Sequence, residues 1–145
     1  MKIAIITDQH FGARKSSRIF HDFFKRFYRN VFFPTLKERG ITTVLDLGDT
    51  FDNRRNLDIW AAQWATHNYF DVLKDMGVEV HALVGNHTAY FKNTNLVNTL
   101  VTTVGEYDNV TIYTKATEVE IGGLPILFLS LIHISEPTRL LSIGY

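Results

Sequence analysis

Thr43-Val44-Leu45-Asp46-Leu47-Gly48-Asp49-Thr50-Phe51-Asp52 is the stretch on which the fold turns. Its first half is a short apolar, β-branched run, the pattern of a strand covered on both faces in an α/β sheet, and it ends directly before a glycine. The same pattern precedes it at Ile3 to Ile6 and follows it at Val78 to Val84, the latter again ending at a glycine, Gly85. Three buried strands therefore each run into a polar turn.

The intervening segments have helical spacing. Phe20, Phe23, Phe24, Phe27 and Val31 form one apolar stripe, with Lys25, Arg26 and Arg29 off it, and core packing is the expected use of these rings. Pro34 is expected to break or restart that helix and Gly40 to stop it. Leu57, Ala61, Ala65, Tyr69, Val72, Leu73 and Met76 form a second stripe ended by Gly77. The order β, α, β, α, β predicts a largely parallel sheet with right-handed crossovers and with ligands at the carboxyl ends of its strands. Downstream the spacing predicts a helix over Asn95 to Val104 and a strand over Val110 to Tyr113. A hairpin follows, with strands at Val119 to Ile121 and Pro125 to Phe128 joined by Gly122-Gly123.

Composition narrows the function classes. The 145 residues are 46% hydrophobic and 21% charged, a globular balance that suits one domain or a piece of a larger one. Fifteen basic and fifteen acidic residues cancel, so no global field draws the chain to nucleic acid or anionic lipid, and any such partner must be met by local patches. With no cysteine there is no disulfide framework, thiolate nucleophile or Cys-type zinc site, a pattern compatible with a reducing cytosol. The apolar run at the N-terminus is cut off at once by Asp8 and His10, and Leu124 to Ile134 is too short and too interrupted to span a bilayer.

The three turns read Asp8-Gln9-His10, Gly48-Asp49-Thr50-Phe51-Asp52 and Gly85-Asn86-His87. Singly, each has an ordinary reading as a turn, a loop opening or a capping pair. Together, following three strands in this order, they offer oxygen and imidazole ligands suited to divalent ions such as Mn²⁺, Fe²⁺, Mg²⁺ or Zn²⁺.

The arrangement D-x-H, G-D-x-x-D, G-N-H resembles the calcineurin-like metallophosphoesterases, from Met1 to about Phe128. Gly48-Asp49-Thr50-Phe51-Asp52 is similar to the G-D-x-F-D form of SbcD-type double-strand-break repair nucleases. Asp8 to Lys15, Val31 to Leu36 and Tyr90 to Asn95 look closer still to the nuclease subunit of tailed-phage recombination endonucleases. The resemblance implies a layered sheet with flanking helices. It also implies a site of two divalent ions, Mn²⁺ foremost: Asp8 and His10 hold one, Asp49 bridges both, and Asn86 holds the second. His87 would face the scissile phosphate, with Asp52 orienting its imidazole. The implied activity is phosphodiester hydrolysis of DNA as an exo- or endonuclease of recombination and repair. The implied partners are DNA, an SMC-like ATPase subunit and a second copy of the chain, in the cytoplasm of a bacterial or phage-infected cell. Arg14, Lys15 and Arg18 after the first turn, and Arg54 and Arg55 after the second, could contact DNA phosphates or be solvated loop charges.

Two departures from the family pattern stand out. Thr88 follows Asn86-His87 where the family has Asp or Glu, and Asn53 follows Asp52 where the protein phosphatases place Arg, which weighs against a phosphatase. A metallophosphatase, a cyclic-nucleotide phosphodiesterase and a non-catalytic binding module on the same scaffold are the rival readings. The family's later histidine motifs are missing, His133 being the only histidine after residue 87. Leu129 to Arg139 resembles, residue for residue, one reading frame of a transposase-type sequencing adapter. The expected organisation is thus 1–128 as the N-terminal part of a metallophosphoesterase nuclease domain, truncated before the C-terminal part of that domain, and 129–145 as a non-native tail. A chain with so open a coordination shell is expected to be a weak or inactive nuclease. Trp60 and Trp64 are expected to pack beside the second helix, and His21, His67 and His81, away from the turns, to be structural or surface histidines.

Overall fold

The computed structural model describes residues 1–51, 59–83 and 104–129. Strands β1 (Ala4–Ile6), β2 (Thr43–Asp46), β3 (Glu79–Leu83) and β4 (Val110–Tyr113) form one sheet in the order β1-β2-β3-β4. Every pairing in it is parallel, with Ile5 opposite Leu45, Leu45 opposite His81 and Ala82 opposite Ile112. β5 (Thr117–Ile121) and β6 (Leu124–Phe128) pair antiparallel around Gly122-Gly123 as the expected hairpin. The expected helix over Asn95 to Val104 lies, apart from Val104, outside the described residues.

The alternation of side chains along the sheet separates two cores. Val44, Val80 and Ala82 face one side, where Tyr28, Phe33, Leu36, Ala65, Tyr69, Phe70 and Leu73 from the helices bury them. Leu45 and Leu83 face the other side, where Tyr113, Ile121 and Phe128 cover them. The result is helices, sheet and hairpin in layers, with β2 buried at every position. β1 departs from the expectation of cover on both faces. It is the edge of the described sheet, and Ile5 is exposed because the hairpin does not extend over it.

The first helical segment runs from α1 (Arg18–Phe27) through a π turn (Tyr28–Phe32) into α2 (Phe33–Glu38). Pro34 falls in the first turn of α2, so the helix restarts there as expected. The Phe33 N–H reaches back five residues to the Tyr28 carbonyl, and this wider turn relieves the clash and the missing donor that a proline brings to a helix. The second segment repeats the design: α3 (Ile59–Ala65), a π turn (Thr66–Phe70) and α4 (Asp71–Asp75). Both stop as expected at a glycine of positive φ, Gly40 and Gly77. At each stop the last carbonyls are closed by paired bonds: Gly40 N–H to Lys37 with Ile41 N–H to Leu36, and Gly77 N–H to Lys74 with Val78 N–H to Leu73.

The second stripe packs as expected, with Ala61, Ala65, Tyr69 and Leu73 buried. The first stripe does not. Phe23, Phe27 and Val31 are exposed, while His21, Tyr28, Phe33 and Leu36 are buried and Phe24 and Phe32 are partly so. His21 is fully buried beside Trp60 and Trp64, both of which pack as expected.

Candidate metal centre

The parallel pairing of β1 and β2 does not end with the strands. The Asp8 N–H donates to the Gly48 carbonyl at 3.0 Å, the His10 N–H to Asp49 at 2.9 Å and the Phe11 N–H to Thr50 at 2.8 Å, and Phe11 then pairs with Phe51. Two loops that would otherwise be mobile are thus joined backbone to backbone at the carboxyl edge of the sheet. Side chains in the first turn alternate between the core and solvent. Gln9 and Phe11 point inward and are buried, while Asp8 and His10 point outward.

The outward side chains meet Asp49. Asp8, His10 and Asp49 each offer a ligand atom, and these atoms lie within 4.8 Å of one another. His10 Nε2 is 3.5 Å from Asp8 Oδ1, and their side chains are 34% and 59% exposed, so an ion could reach them from solvent. Two carboxylates and an imidazole are a donor set that fits Mn²⁺, Fe²⁺, Mg²⁺ or Zn²⁺. The Thr7 hydroxyl, 2.8 Å from Asp8 Oδ2, is the main influence lowering the Asp8 pKa, and His10 adds to it. Asp8 is therefore held as the anion a cation needs.

All three residues adopt left-handed backbone conformations, with φ of 56° at Asp8, 51° at His10 and 53° at Asp49. That region costs roughly 1–2 kcal/mol for a residue bearing a Cβ, and Asp and His are among the types that tolerate it best. Such a concentration of strain marks functional turns. Gly48, at φ 115°, takes a backbone conformation that residues bearing a Cβ rarely adopt. Phe11 anchors the turn from below: it is 1% exposed and its ring touches those of Phe24, Tyr28, Phe51, Trp64 and Tyr69.

Arg14 and Lys15 follow in a turn, Ala13–Ser16, that is itself left-handed at Arg14, Lys15 and Ser16. Both side chains are exposed, and the Arg14 guanidinium lies over the Phe20 ring at 5.2 Å. Asn86, His87, Asp52, Arg54 and Arg55 lie outside the described residues. His21 takes the structural role expected: Nε2 accepts from the Gly12 N–H at 3.0 Å and Nδ1 lies 2.7 Å from the Ser17 carbonyl, which fixes a neutral tautomer with the proton on Nδ1. His81 is likewise buried, with Nδ1 2.7 Å from the Tyr113 hydroxyl.

Sequence reasoning missed Asp46, Gln9 and Tyr28. Asp46 closes β2, is fully buried, and accepts from Gln9 Nε2 at 2.7 Å, from the Gly48 N–H at 3.3 Å and from the Thr50 hydroxyl at 3.2 Å. Burial pushes its pKa up to about 7 against the opposing pull of these donors. Tyr28 donates to Gln9 Oε1 at 2.5 Å, and burial, then the Asp46 charge, raises the pKa of that phenol. A carboxylate inside an otherwise apolar strand was the signal available in the sequence.

Residues 1–140 match the calcineurin-like phosphoesterases, and the chain belongs to that family. Over 87 residues, 60% of this chain and 25% of the relative, it is 34% identical to exonuclease subunit 1 of Enterobacteria phage T4. The aligned stretch thus spans a quarter of that relative's length. Family and fold are those expected from the three turns. Among the described residues, no helix is long and apolar enough to cross a membrane.

Proposed function

We propose that the chain is a part of a metal-dependent nuclease that hydrolyses DNA phosphodiesters in recombination and double-strand-break repair. The observation that carries this reading is the convergence of Asp8, His10 and Asp49 within 4.8 Å at the carboxyl edge of the sheet. The name of the phage relative, exonuclease subunit 1, supports a nucleic acid over a small phosphoester as the substrate of this chain.

In this reading Asp8 and His10 hold one ion, Asp49 is shared by two, and Asn86 holds the second, with Mn²⁺ as the native metal. When bound, the ions supply Lewis acidity to the scissile phosphate and lower the pKa of the attacking water. The chain's own contributions are positional and protonic. Asp49 would screen the two cations from one another, a His87 imidazolium would stabilise the developing charge or protonate the leaving oxygen, and Asp52 would orient that ring. Arg14, Lys15, Arg54 and Arg55 hold the duplex by its phosphates, contacts that position without reading sequence. An SMC-like ATPase and a second copy of the chain are the proposed protein partners. The exposed stripe of Ile19, Phe23, Phe27 and Val31 is an apolar face among the described residues that a protein partner could cover. The proposed setting is the cytoplasm of a bacterial or phage-infected cell.

The test is an assay of linear duplex DNA against a phosphomonoester and a cyclic nucleotide in MnCl₂, on this chain and on the full-length reading frame. DNA cleavage by the full-length protein, stimulated by the ATPase, weaker in this chain and abolished by Asp49→Asn, is expected. Turnover of the small esters alone would favour the phosphatase or cyclic-nucleotide reading, and no hydrolysis by the full-length protein would favour a binding module. The proposal that residues 129–145 come from a sequencing adapter is tested by rereading the source DNA beyond Phe128. Further histidine motifs are expected there, and an independent read returning Leu129 to Tyr145 would overturn it.

A further inference from the structure

We infer that Asp46 is a positioning residue that sets the two ligand-bearing turns in register through Gln9, Gly48 and Thr50. The inference rests on the reading of Asp8, His10 and Asp49 as metal ligands, and it assigns a role to a side chain that touches none of them in the hydrogen bonds described.

A carboxylate at the end of a central strand, 0% exposed, is expensive to desolvate, and an apolar side chain of similar size would serve the core at least as well. What Asp46 offers instead is acceptor capacity in two directions. Oδ2 accepts from Gln9 Nε2 at 2.7 Å, while Oδ1 accepts from the Gly48 N–H at 3.3 Å and the Thr50 hydroxyl bonds to both oxygens at 3.2 Å. Gln9 stands between the ligands Asp8 and His10, and Gly48 and Thr50 stand on either side of the ligand Asp49. One buried group therefore grips the first turn by its middle residue and the second by both neighbours of its ligand.

The grip has a fixed orientation. The Tyr28 hydroxyl donates to Gln9 Oε1 at 2.5 Å, which turns the amide so that its N–H faces Asp46. Tyr28 in turn sits on the π turn of the first helical segment and is 2% exposed. The helix layer thus reaches the strand-end turns through a chain of hydrogen bonds from Tyr28 to Gln9 to Asp46 to Thr50. The backbone bonds join the two turns to each other, and these side-chain bonds tie the joined pair to the helix layer. Supporting partners of metal ligands typically change affinity about 10–100-fold when removed.

The experiment is a calorimetric titration of Mn²⁺ into the metal-free chain and its variants, with circular dichroism and thermal unfolding on each. Asp46→Asn keeps the volume but has one acceptor oxygen for these donors and brings an amide N–H against them. Its Mn²⁺ dissociation constant is expected to rise about 10–100-fold with the fold retained. Thr50→Val is expected to weaken binding in the same direction and Thr50→Ser to restore it. This pair decides the matter should Asp46→Asn not fold. A merely structural Asp46 would lower the unfolding temperature of the metal-free chain and leave affinity unchanged, and that result in a folded Asp46→Asn, or in Thr50→Val, overturns the inference while the metal reading stands. Absence of Mn²⁺ binding by the unsubstituted chain overturns both.

Discussion

Asp8, His10 and Asp49 share a conformation as well as a position, and the two facts have one cause. A left-handed residue turns its side chain away from the direction an extended strand would give it, and here the turns send all three toward the same solvent-facing point. The strain this stores makes a prediction about substitution. His10→Gly removes the imidazole but relaxes φ 51°, so metal-free stability in urea is expected to hold or to rise by up to about 1 kcal/mol while Mn²⁺ binding is lost. A clear loss of metal-free stability would contradict it. Asp46 gives a pH signature of its own. Its pKa is raised in the fold from 3.8 to about 7, so the folded chain binds a proton that the unfolded chain has released. That contribution is complete below about pH 4 and is lost as pH rises to about 7, by at most about 4 kcal/mol. Urea unfolding of the metal-free chain should therefore show stability falling across that window, and in Asp46→Asn this component should be missing. The ligand turns themselves were legible from residue type and place, since Asp, His and Gly directly after an apolar run are both ligands and turn formers. Gln9 was not legible, because nothing in a single glutamine between two ligands says that it points inward.

Each helical segment carries a π turn, and that insertion accounts for what the sequence pattern misassigned. Apolar residues spaced by four drift around a regular helix, so the run from Ile19 to Leu36 contains two candidate stripes: Ile19, Phe23, Phe27, Val31 and Phe24, Tyr28, Phe32, Leu36. Spacing alone does not choose between them. The wide turn at Tyr28–Phe32 does, by carrying the second stripe past Pro34 to Leu36 and Phe33 while the first stays in solvent. The second segment was legible because the set that rivals Ala61, Ala65, Tyr69 and Leu73, namely Trp60, Trp64, Val72 and Met76, is broken by Asn68. The consequence is measurable. Phe23→Ala is expected to change stability by less than about 0.5 kcal/mol, whereas Phe11→Ala, emptying the aromatic cluster beneath the first turn, is expected to cost about 3–5 kcal/mol. Comparable losses from the two would show that the first stripe is in fact core.

At the scale of the molecule, a parallel sheet in sequential order has the described helices on one face and the hairpin on the other. The parallel sheet followed from the alternation of strand and helix patterns, whereas the hairpin's cover of the second face did not. The zipping of the two loops beyond β1 and β2 did not, because hydrogen bonds between main chains leave no mark on residue type. It is this zipping that turns a set of polar loops into a centre ready for a cation. A ligand that binds only the folded state adds stability by mass action, so Mn²⁺ at about 100 times its dissociation constant is expected to stabilise the chain by about 2.7 kcal/mol, reversed by a chelator. Asp49→Ala should abolish that gain. The most direct test is anomalous diffraction from crystals of the chain grown with Mn²⁺. A peak in contact with the carboxylates of Asp8 and Asp49 and with His10 Nε2 or Nδ1 is expected, and full Mn²⁺ occupancy elsewhere with none between these three side chains would contradict the assignment.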